Sequence, residues 1–193
     1  MRKWINLSLI LTLVVILGAC GGNKVETNMS DPVEDFSATT QDGNTLTRDD
    51  LEGKWWVADF IFTNCTTVCL PMTSNMKKLQ DKLDEAGVKN YHLVSFSVDP
   101  EFDTPEVLTE YAEQYEADLS TWSFLTGYDF DYIKDLSVNS FKSLVAPPPE
   151  GEDQVSHGTS FFLVNPEGEI IKHYKGTEAD QMDQIAEDLK NLQ

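Results

Sequence analysis

Residues 55–62 form an apolar run that only Asp59 interrupts, and two cysteines follow within the next seven residues. A short, continuous apolar run is typical of a strand that is buried on both faces of a sheet. Beyond the cysteines, apolar residues recur from Met72 to Leu83 at spacings of four, three and four, which predicts one face of a helix. The chain is therefore expected to hold two thiols between a buried strand and a helix.

Strand-like and helix-like segments alternate along the rest of the chain. Further strands are predicted for residues 33–38, 91–98, 122–125, 160–164 and 169–174, with a hairpin turn at 41–44. Further helices are predicted from Thr104-Pro105, over residues 130–136 and from 182 to 192, and residues 146–158 are predicted to form a long loop. This order indicates an α/β protein with a central mixed sheet, helices on both faces and an N-terminal β-hairpin. The cysteine position suggests that its fold class is thioredoxin-like.

The first twenty residues are typical of an export signal. Arg2 and Lys3 precede an apolar run over residues 7–17, which is shorter than the roughly 20 residues that a membrane span requires. The run ends in Leu-Gly-Ala-Cys at residues 17–20, which resembles a bacterial lipobox. The resemblance implies cleavage before Cys20 and lipid attachment to its sulfur, which gives the two acyl chains that stable anchoring requires. The alternative is a plain signal peptide with an incidental cysteine.

The lipobox interpretation divides the chain into three parts. We expect a signal peptide at residues 1–19, a lipid-anchored flexible tether at 20–31 and one folded domain at 32–193. The domain is then held at the extracytoplasmic face of the cell membrane.

The net charge of the chain limits the classes of partner that we expect it to bind. It carries 33 acidic and 14 basic residues, a formal net charge of −19. Nucleic acid is not expected as a partner, because phosphate binding requires a basic face. An acidic surface serves solubility and tolerates metal cations or basic proteins. Three cysteines in 193 residues are too few for a disulfide scaffold, so reactive or metal-binding thiols are expected instead.

Cys65 and Cys69 are the centre of the expected chemistry. Near a helix N-terminus, the helix dipole is expected to lower the pKa of a thiol. A four-residue spacing brings two side chains onto one helix face, with Cβ atoms about 5–6 Å apart. A disulfide requires Cβ atoms nearer 3.8 Å, so it would close only if the first turn opened. The spacing therefore favours a soft metal ion, with two buried structural cysteines as the alternative.

Two thiolates leave a metal ion short of ligands, and the chain has three histidines. His157 follows the predicted long loop and is the leading third ligand. His92 lies inside an apolar strand and is expected to be structural, and His173 is expected to face solvent. A set of two cysteines and one histidine suits zinc or copper.

Over about residues 33–193, the sequence resembles the Sco/SenC family of copper-binding, thioredoxin-fold proteins. The resemblance rests on three segments: FTNCTTVC at 62–69, SVDPEFDTP at 97–105, and HGTSFFLVNPEG at 157–168. Thr66 and Leu70 stand where family members often have proline, which leaves the ligands intact.

The resemblance implies copper bound by Cys65, Cys69 and His157. It also implies a metallochaperone that helps to build the binuclear copper centre of cytochrome c oxidase subunit II. The alternative is a membrane-anchored thiol-disulfide oxidoreductase that keeps the acceptor cysteines reduced, with Cys65 and Cys69 as its redox pair. A thioredoxin-superfamily peroxidase fits less well, since peroxiredoxins lack a partner cysteine in the position of Cys69. We therefore expect a binding protein rather than an enzyme, unless the thiols turn over.

Three acids and two methionines have both a functional and a structural interpretation. Asp59 is a proton relay for the thiols, as the buried acid of thioredoxins is, or an acid at a strand edge near solvent. Asp99 supports the metal site from outside its ligands or forms the turn before Pro100. Asp103 is expected to belong to the cap of the following helix. The methionines at 72 and 76 are expected to be core rather than ligands.

Overall fold

The computed structural model describes residues 25–65, 69–151 and 154–193. The predicted signal peptide and Cys20 lie outside the described residues. Within the described ranges, no helix combines the length and the apolar composition that crossing a bilayer requires.

The described chain contains ten strands, four α-helices and a 3-10 helix at Asp49–Leu51. The strands are β1 (Asp31–Pro32), β2 (Ser37–Thr40), β3 (Thr45–Thr47), β4 (Trp55–Ile61), β5 (Tyr91–Ser97), β6 (Trp122–Thr126), β7 (Val145–Ala146), β8 (Ser156–His157), β9 (Ser160–Val164) and β10 (Glu169–Lys175). The helices are α1 (Cys69–Glu85), α2 (Pro105–Gln114), α3 (Phe130–Asn139) and α4 (Gln181–Leu192).

Eight of the strands form one mixed sheet in the order β1-β10-β9-β4-β5-β6-β2-β3. The three central strands β4, β5 and β6 are parallel, and the pairings that flank them are antiparallel. The remaining two strands, β7 and β8, pair with each other as a separate ladder. The parallel centre explains why residues 55–61 are almost entirely apolar, because parallel strands are covered on both faces.

Helices cover both faces of the sheet and create two apolar cores. One core joins the apolar faces of α1, α2 and α4 to the side chains of Val57 and Ile61. The other joins α3 to Trp56, Phe60 and several loop side chains. The methionines at 72 and 76 are fully buried in the first core, as expected. The mixed sheet, its helices and the N-terminal hairpin confirm the predicted thioredoxin-like class.

Some elements differ from their predicted bounds. The first hairpin strand begins at Ser37, because Val33 and Phe36 pack into the core from irregular backbone. The predicted loop at 146–158 begins and ends in the β7–β8 ladder, in which Val145 pairs with His157, so His157 lies in a strand. Two backbone amides within the predicted tether, those of Asn28 and Met29, donate to the Ile171 carbonyl at 3.1 and 3.2 Å.

Asp59 lies at the centre of the sheet interior. The side chain is fully buried, so the interpretation as an acid near solvent is wrong. Its Oδ1 accepts a hydrogen bond from the Ser95 hydroxyl at 2.6 Å, and Ser95 in turn accepts one from Trp122 Nε1 at 2.9 Å. Among the described residues, its Oδ2 has no hydrogen-bond partner. Burial raises the pKa of Asp59 to about 7, while the bond from Ser95 and the charge of His157 act in the opposite direction.

The raised pKa predicts an unusual pH dependence of stability. Between the unfolded value of 3.8 and about 7, the folded state keeps a proton that the unfolded state has released. The free energy of unfolding should therefore fall as the pH rises through this window. Between pH 5 and pH 8, Asp59 should lower the free energy of unfolding by roughly 3 kcal/mol, at 1.36 kcal/mol per pKa unit. Asp59→Asn should not show this decrease. Urea unfolding of both proteins at the two pH values measures it, and parallel pH profiles would contradict it.

Candidate metal centre

Three side chains from separate elements meet at the end of β4. Cys65 follows the turn after β4, Cys69 begins α1, and His157 lies in β8. One potential ligand atom from each lies within 4.8 Å of the other two. Both cysteines are buried and His157 is half-buried. Among the described residues, no other three histidine, cysteine or acidic side chains meet in this way.

The turn after β4 delivers Cys65 to the site. The Cys65 amide donates to the Phe62 carbonyl at 3.3 Å, which closes the turn. The Cys69 amide donates to Cys65 Sγ at 3.4 Å, so the first sulfur receives an N–H from the start of α1. Gln154 Nε2 donates to the Asn64 carbonyl at 3.3 Å. That bond ties the segment before His157 to the turn that carries Cys65.

His157 presents a defined nitrogen to the sulfurs. Its Nδ1 lies 2.9 Å from the Gly158 carbonyl, and its Nε2 lies 3.2 Å from Cys69 Sγ. Because a carbonyl only accepts, Nδ1 carries the proton of the neutral ring and Nε2 keeps its lone pair. The Phe62 ring stands edge-on to the imidazole with centroids 5.6 Å apart. These contacts fix the ring orientation in the way that metal-binding histidines are usually fixed.

Gly158 allows the backbone beside His157 to approach another loop closely. A Cβ atom at this position would lie 2.3 Å from Ser143 Oγ. The Gly158 amide donates to the Leu144 carbonyl at 2.9 Å, which continues the β7–β8 ladder past His157. A side chain at this position would require the Ser143 hydroxyl to rotate away, and the Gly158 backbone bond ties the segment that carries His157 to the neighbouring loop.

The donor set fits one soft metal ion. Metal–sulfur bonds of about 2.3 Å and metal–nitrogen bonds of about 2.0 Å place such donors within about 4.6 Å of one another. The separations in this site, at most 4.8 Å, are therefore close to those around a single ion. Thiolates favour Cu(I), and imidazole allows the same set to hold Cu(II).

Burial controls the protonation of Cys69. It raises the pKa of this thiol far above its usual range, and the hydrogen bond with Cys65 acts in the same direction. The expected lowering by the helix N-terminus is therefore wrong for Cys69, because desolvation is the larger effect. In the absence of metal, Cys69 carries its proton at neutral pH, and an incoming metal ion must displace it.

The three acids lie in different relations to the ligands. Asp59 interacts electrostatically with both His157 and Cys69, and its role in proton transfer stays a prediction. Asp99 is half-buried, and burial raises its pKa. A hydrogen bond from the neighbouring Phe102 backbone acts in the opposite direction but is the smaller effect. No ligand contact of Asp99 is seen within the described ranges, and its supporting role stays a prediction.

Asp103 was expected in the helix cap, and this expectation is wrong. The N-cap of α2 is Thr104, whose hydroxyl accepts from the Val107 amide at 3.4 Å. The Asp103 carboxylate instead binds Thr63 and Ser97. Burial raises the pKa of Asp103, and the bonds from Ser97 and Thr63 act against that rise. Local periodicity could not predict this contact, because Asp103 and Thr63 are 40 residues apart.

The other two histidines lie outside the site. Burial lowers the pKa of His92 to about 4, with a smaller contribution from Lys54, and its Nε2 lies 2.9 Å from Ser123 Oγ. His173 is exposed on β10. Both positions agree with the expected structural and solvent-facing roles.

Comparison with known proteins agrees with this geometry. A sequence model of the SCO1/SenC family matches residues 24–193. The SCO1 protein homolog of Bacillus subtilis is 43% identical over 179 residues, which are 93% of this chain and 92% of the relative.

Solved structures show the same relationship. A SCO1/SenC family lipoprotein from Bacillus anthracis is 45% identical with a TM-score of 0.79, covering 84% of this chain and 95% of that one. BsSco, described as a member of the Sco family of cytochrome c oxidase assembly proteins with a disulfide switch, is 43% identical with a TM-score of 0.77, covering 86% and 95%. Copper-bound ScoI of Arabidopsis thaliana is 26% identical with a TM-score of 0.69, covering 81% and 97%. With a match that spans the whole folded part and includes the Cys-Cys-His site, this chain belongs to the SCO1/SenC family.

Proposed function

We propose that this protein binds copper through Cys65, Cys69 and His157 and delivers it as cargo to an acceptor protein. The observation that carries the proposal is the convergence of two sulfurs and one imidazole nitrogen within 4.8 Å. The copper-bound ScoI structure supports copper over zinc as the ion. A three-donor site leaves open positions around the ion, which suits transfer to another protein better than permanent storage.

Copper binding requires loss of the Cys69 proton. Because burial keeps this thiol protonated, binding releases a proton and becomes weaker as the pH falls. His157 is half-buried, so the imidazole is the ligand most accessible to an approaching acceptor. Transfer is expected to begin by exchange at His157 while the buried sulfurs still hold the ion.

Loss of the imidazole should release copper. We expect the reduced protein to develop intense thiolate-to-copper absorption on addition of Cu(II). Loss of a hydrogen-bond partner outside the ligands typically lowers metal affinity by roughly 10–100-fold. His157→Ala removes a ligand itself, so it should lower copper affinity by more than that. His173→Ala is the matched control, since it removes an exposed imidazole and should leave the band unchanged. The absence of this absorption band in the unmodified protein, or an undiminished band in His157→Ala, would contradict the proposal.

The proposed acceptor is subunit II of cytochrome c oxidase, whose binuclear copper centre needs copper outside the cytoplasmic membrane. Support comes from family membership and from BsSco, which is described as an oxidase assembly protein. A chaperone anchored in the same membrane meets such an acceptor at a high effective concentration.

A second candidate function is thiol-disulfide exchange with the acceptor cysteines. It is favoured by Asp59, a fully buried carboxyl whose pKa of about 7 suits proton transfer at neutral pH. The disulfide switch described for BsSco also agrees with it. In this mechanism Cys65 and Cys69 pass two electrons to an acceptor disulfide and themselves become a disulfide.

Deletion of the gene separates the two functions. We expect the deletion to lower cytochrome c oxidase activity, and excess copper in the medium to restore it if supply is the physiological task. Restoration by an added membrane-permeant thiol, without extra copper, would instead support the redox function. Unchanged oxidase activity in copper-limited cells would contradict both.

We further propose that Cys20 carries a lipid and holds the domain at the extracytoplasmic face of the cell membrane. The lipobox-like residues 17–20 and the likeness to a lipoprotein of the same family support this proposal. Cells fed a labelled fatty acid such as palmitate should label the protein and retain it in membranes. Cys20→Ser should lose the label, whereas Cys65→Ser should keep it. Labelling that survives Cys20→Ser would contradict the anchor.

A further inference from the structure

The Asp103 carboxylate is a buried acceptor that joins two loops. Its side chain is fully buried, and in the described part of the chain it forms no ion pair. The Thr63 hydroxyl donates to Oδ1 at 2.5 Å, and the Ser97 hydroxyl donates to Oδ2 at 2.6 Å. The Thr63 amide donates to both oxygens at 3.3 and 3.2 Å. Three donors therefore converge on one carboxylate.

These donors lie where the two central parallel strands end. Ser97 is the last residue of β5 and pairs in register with Ile61, the last residue of β4. The Val98 amide still donates to the Ile61 carbonyl at 2.8 Å. Beyond this bond, the segment that follows β4 is joined to the segment that follows β5 by the hydrogen bonds between Thr63 and Asp103. The carboxylate thus extends the strand pairing into the turn that leads to Cys65.

We propose that Asp103 is a positioning residue for the metal centre, which holds the Thr63 turn so that Cys65 Sγ stays within reach of Cys69 and His157 before metal arrives. The proposal deepens the proposed copper function and rests on it. The carboxylate is not needed to start α2, because Thr104 caps that helix and Pro105 occupies its first turn.

The carboxylate oxygens are required because both of them accept. In Asp103→Asn, one oxygen becomes an NH2 group that faces hydrogen-bond donors. The hydroxyls of Thr63 and Ser97 can rotate to accept, but the Thr63 amide cannot reverse. The turn before Cys65 should therefore loosen, although the side chain keeps its size. Ordering of the turn would then have to occur on metal binding, which lowers affinity.

Asp188 offers a matched control. It is also a buried carboxylate, and it accepts from Lys172 Nζ at 2.7 Å, Tyr174 OH at 2.7 Å and Gln184 Nε2 at 2.9 Å. These partners lie in β10 and α4, and none is adjacent to a ligand. Asp188→Asn should therefore destabilise the protein without changing the metal centre.

The test uses the full chain purified in detergent with reduced cysteines. The first readout is metal-free: hydrogen exchange of the backbone amides at residues 62–65, followed by mass spectrometry. Asp103→Asn should speed this exchange at least tenfold, because one of the two oxygens that accept from the Thr63 amide becomes an NH2 group. Asp188→Asn should leave the exchange unchanged. The second readout is the Cu(I) affinity in competition with bicinchoninate. Asp103→Asn should lower it about tenfold, and Asp188→Asn should not.

The outcomes separate this proposal from the copper function. Wild-type exchange and affinity in Asp103→Asn would overturn it, and so would an equal loss of affinity in Asp188→Asn, which would indicate general destabilisation. If the unmodified protein fails to bind Cu(I), the copper function fails, while the metal-free exchange still decides whether Asp103 holds the turn. Should Asp103→Asn not fold, Thr63→Val removes one donor, and unchanged exchange at 62–65 in that variant would overturn the proposal.

Discussion

The burial of two sulfur atoms beside one imidazole is the constraint on which the rest of the site depends. Cys65 and Cys69 lie inside the apolar core at the end of β4, so an ionised thiolate is costly there unless a cation neutralises it. This cost keeps Cys69 protonated in the absence of metal. A soft cation removes the penalty and gains two sulfur ligands at once. The same burial that makes the thiols poor anions therefore makes them selective for a metal such as copper.

Each of the three ligands is held in place by a different set of contacts. Cys65 is held by the turn that Thr63 and Asp103 fix to the end of β5. Cys69 is the first residue of α1, whose apolar face is packed in the core. His157 is oriented by the Gly158 carbonyl and by the edge of the Phe62 ring. The three ligands are also linked to one another, because Phe62 both closes the turn before Cys65 and packs against His157, and the Cys69 amide donates to Cys65 Sγ.

Much of this arrangement is predictable from local sequence patterns, and the exceptions have physical causes. The apolar run at 55–62 and the Met72–Leu83 face predicted β4 and α1, and the Cys-Cys-His set followed from counting the few residues able to bind a soft metal. The strand around His157 was missed because two-residue strands carry no periodicity. The Asp103 contact was missed because a local cap explained the residue equally well. The pKa of Cys69 was misjudged because burial, a tertiary effect, outweighs the helix dipole, a local one.

X-ray absorption spectroscopy of the copper-loaded protein identifies and counts the atoms bound to copper, so it tests the assignment of the three ligands. We expect two sulfur neighbours and one imidazole nitrogen, with sulfur at about 2.3 Å and nitrogen at about 2.0 Å by analogy with other soft-metal sites. Cys65→Ser should lose one sulfur, and His157→Ala should lose the imidazole scattering. A copper ion with only oxygen and nitrogen neighbours, or imidazole scattering that persists in His157→Ala, would contradict the assignment of Cys65, Cys69 and His157 as the ligands.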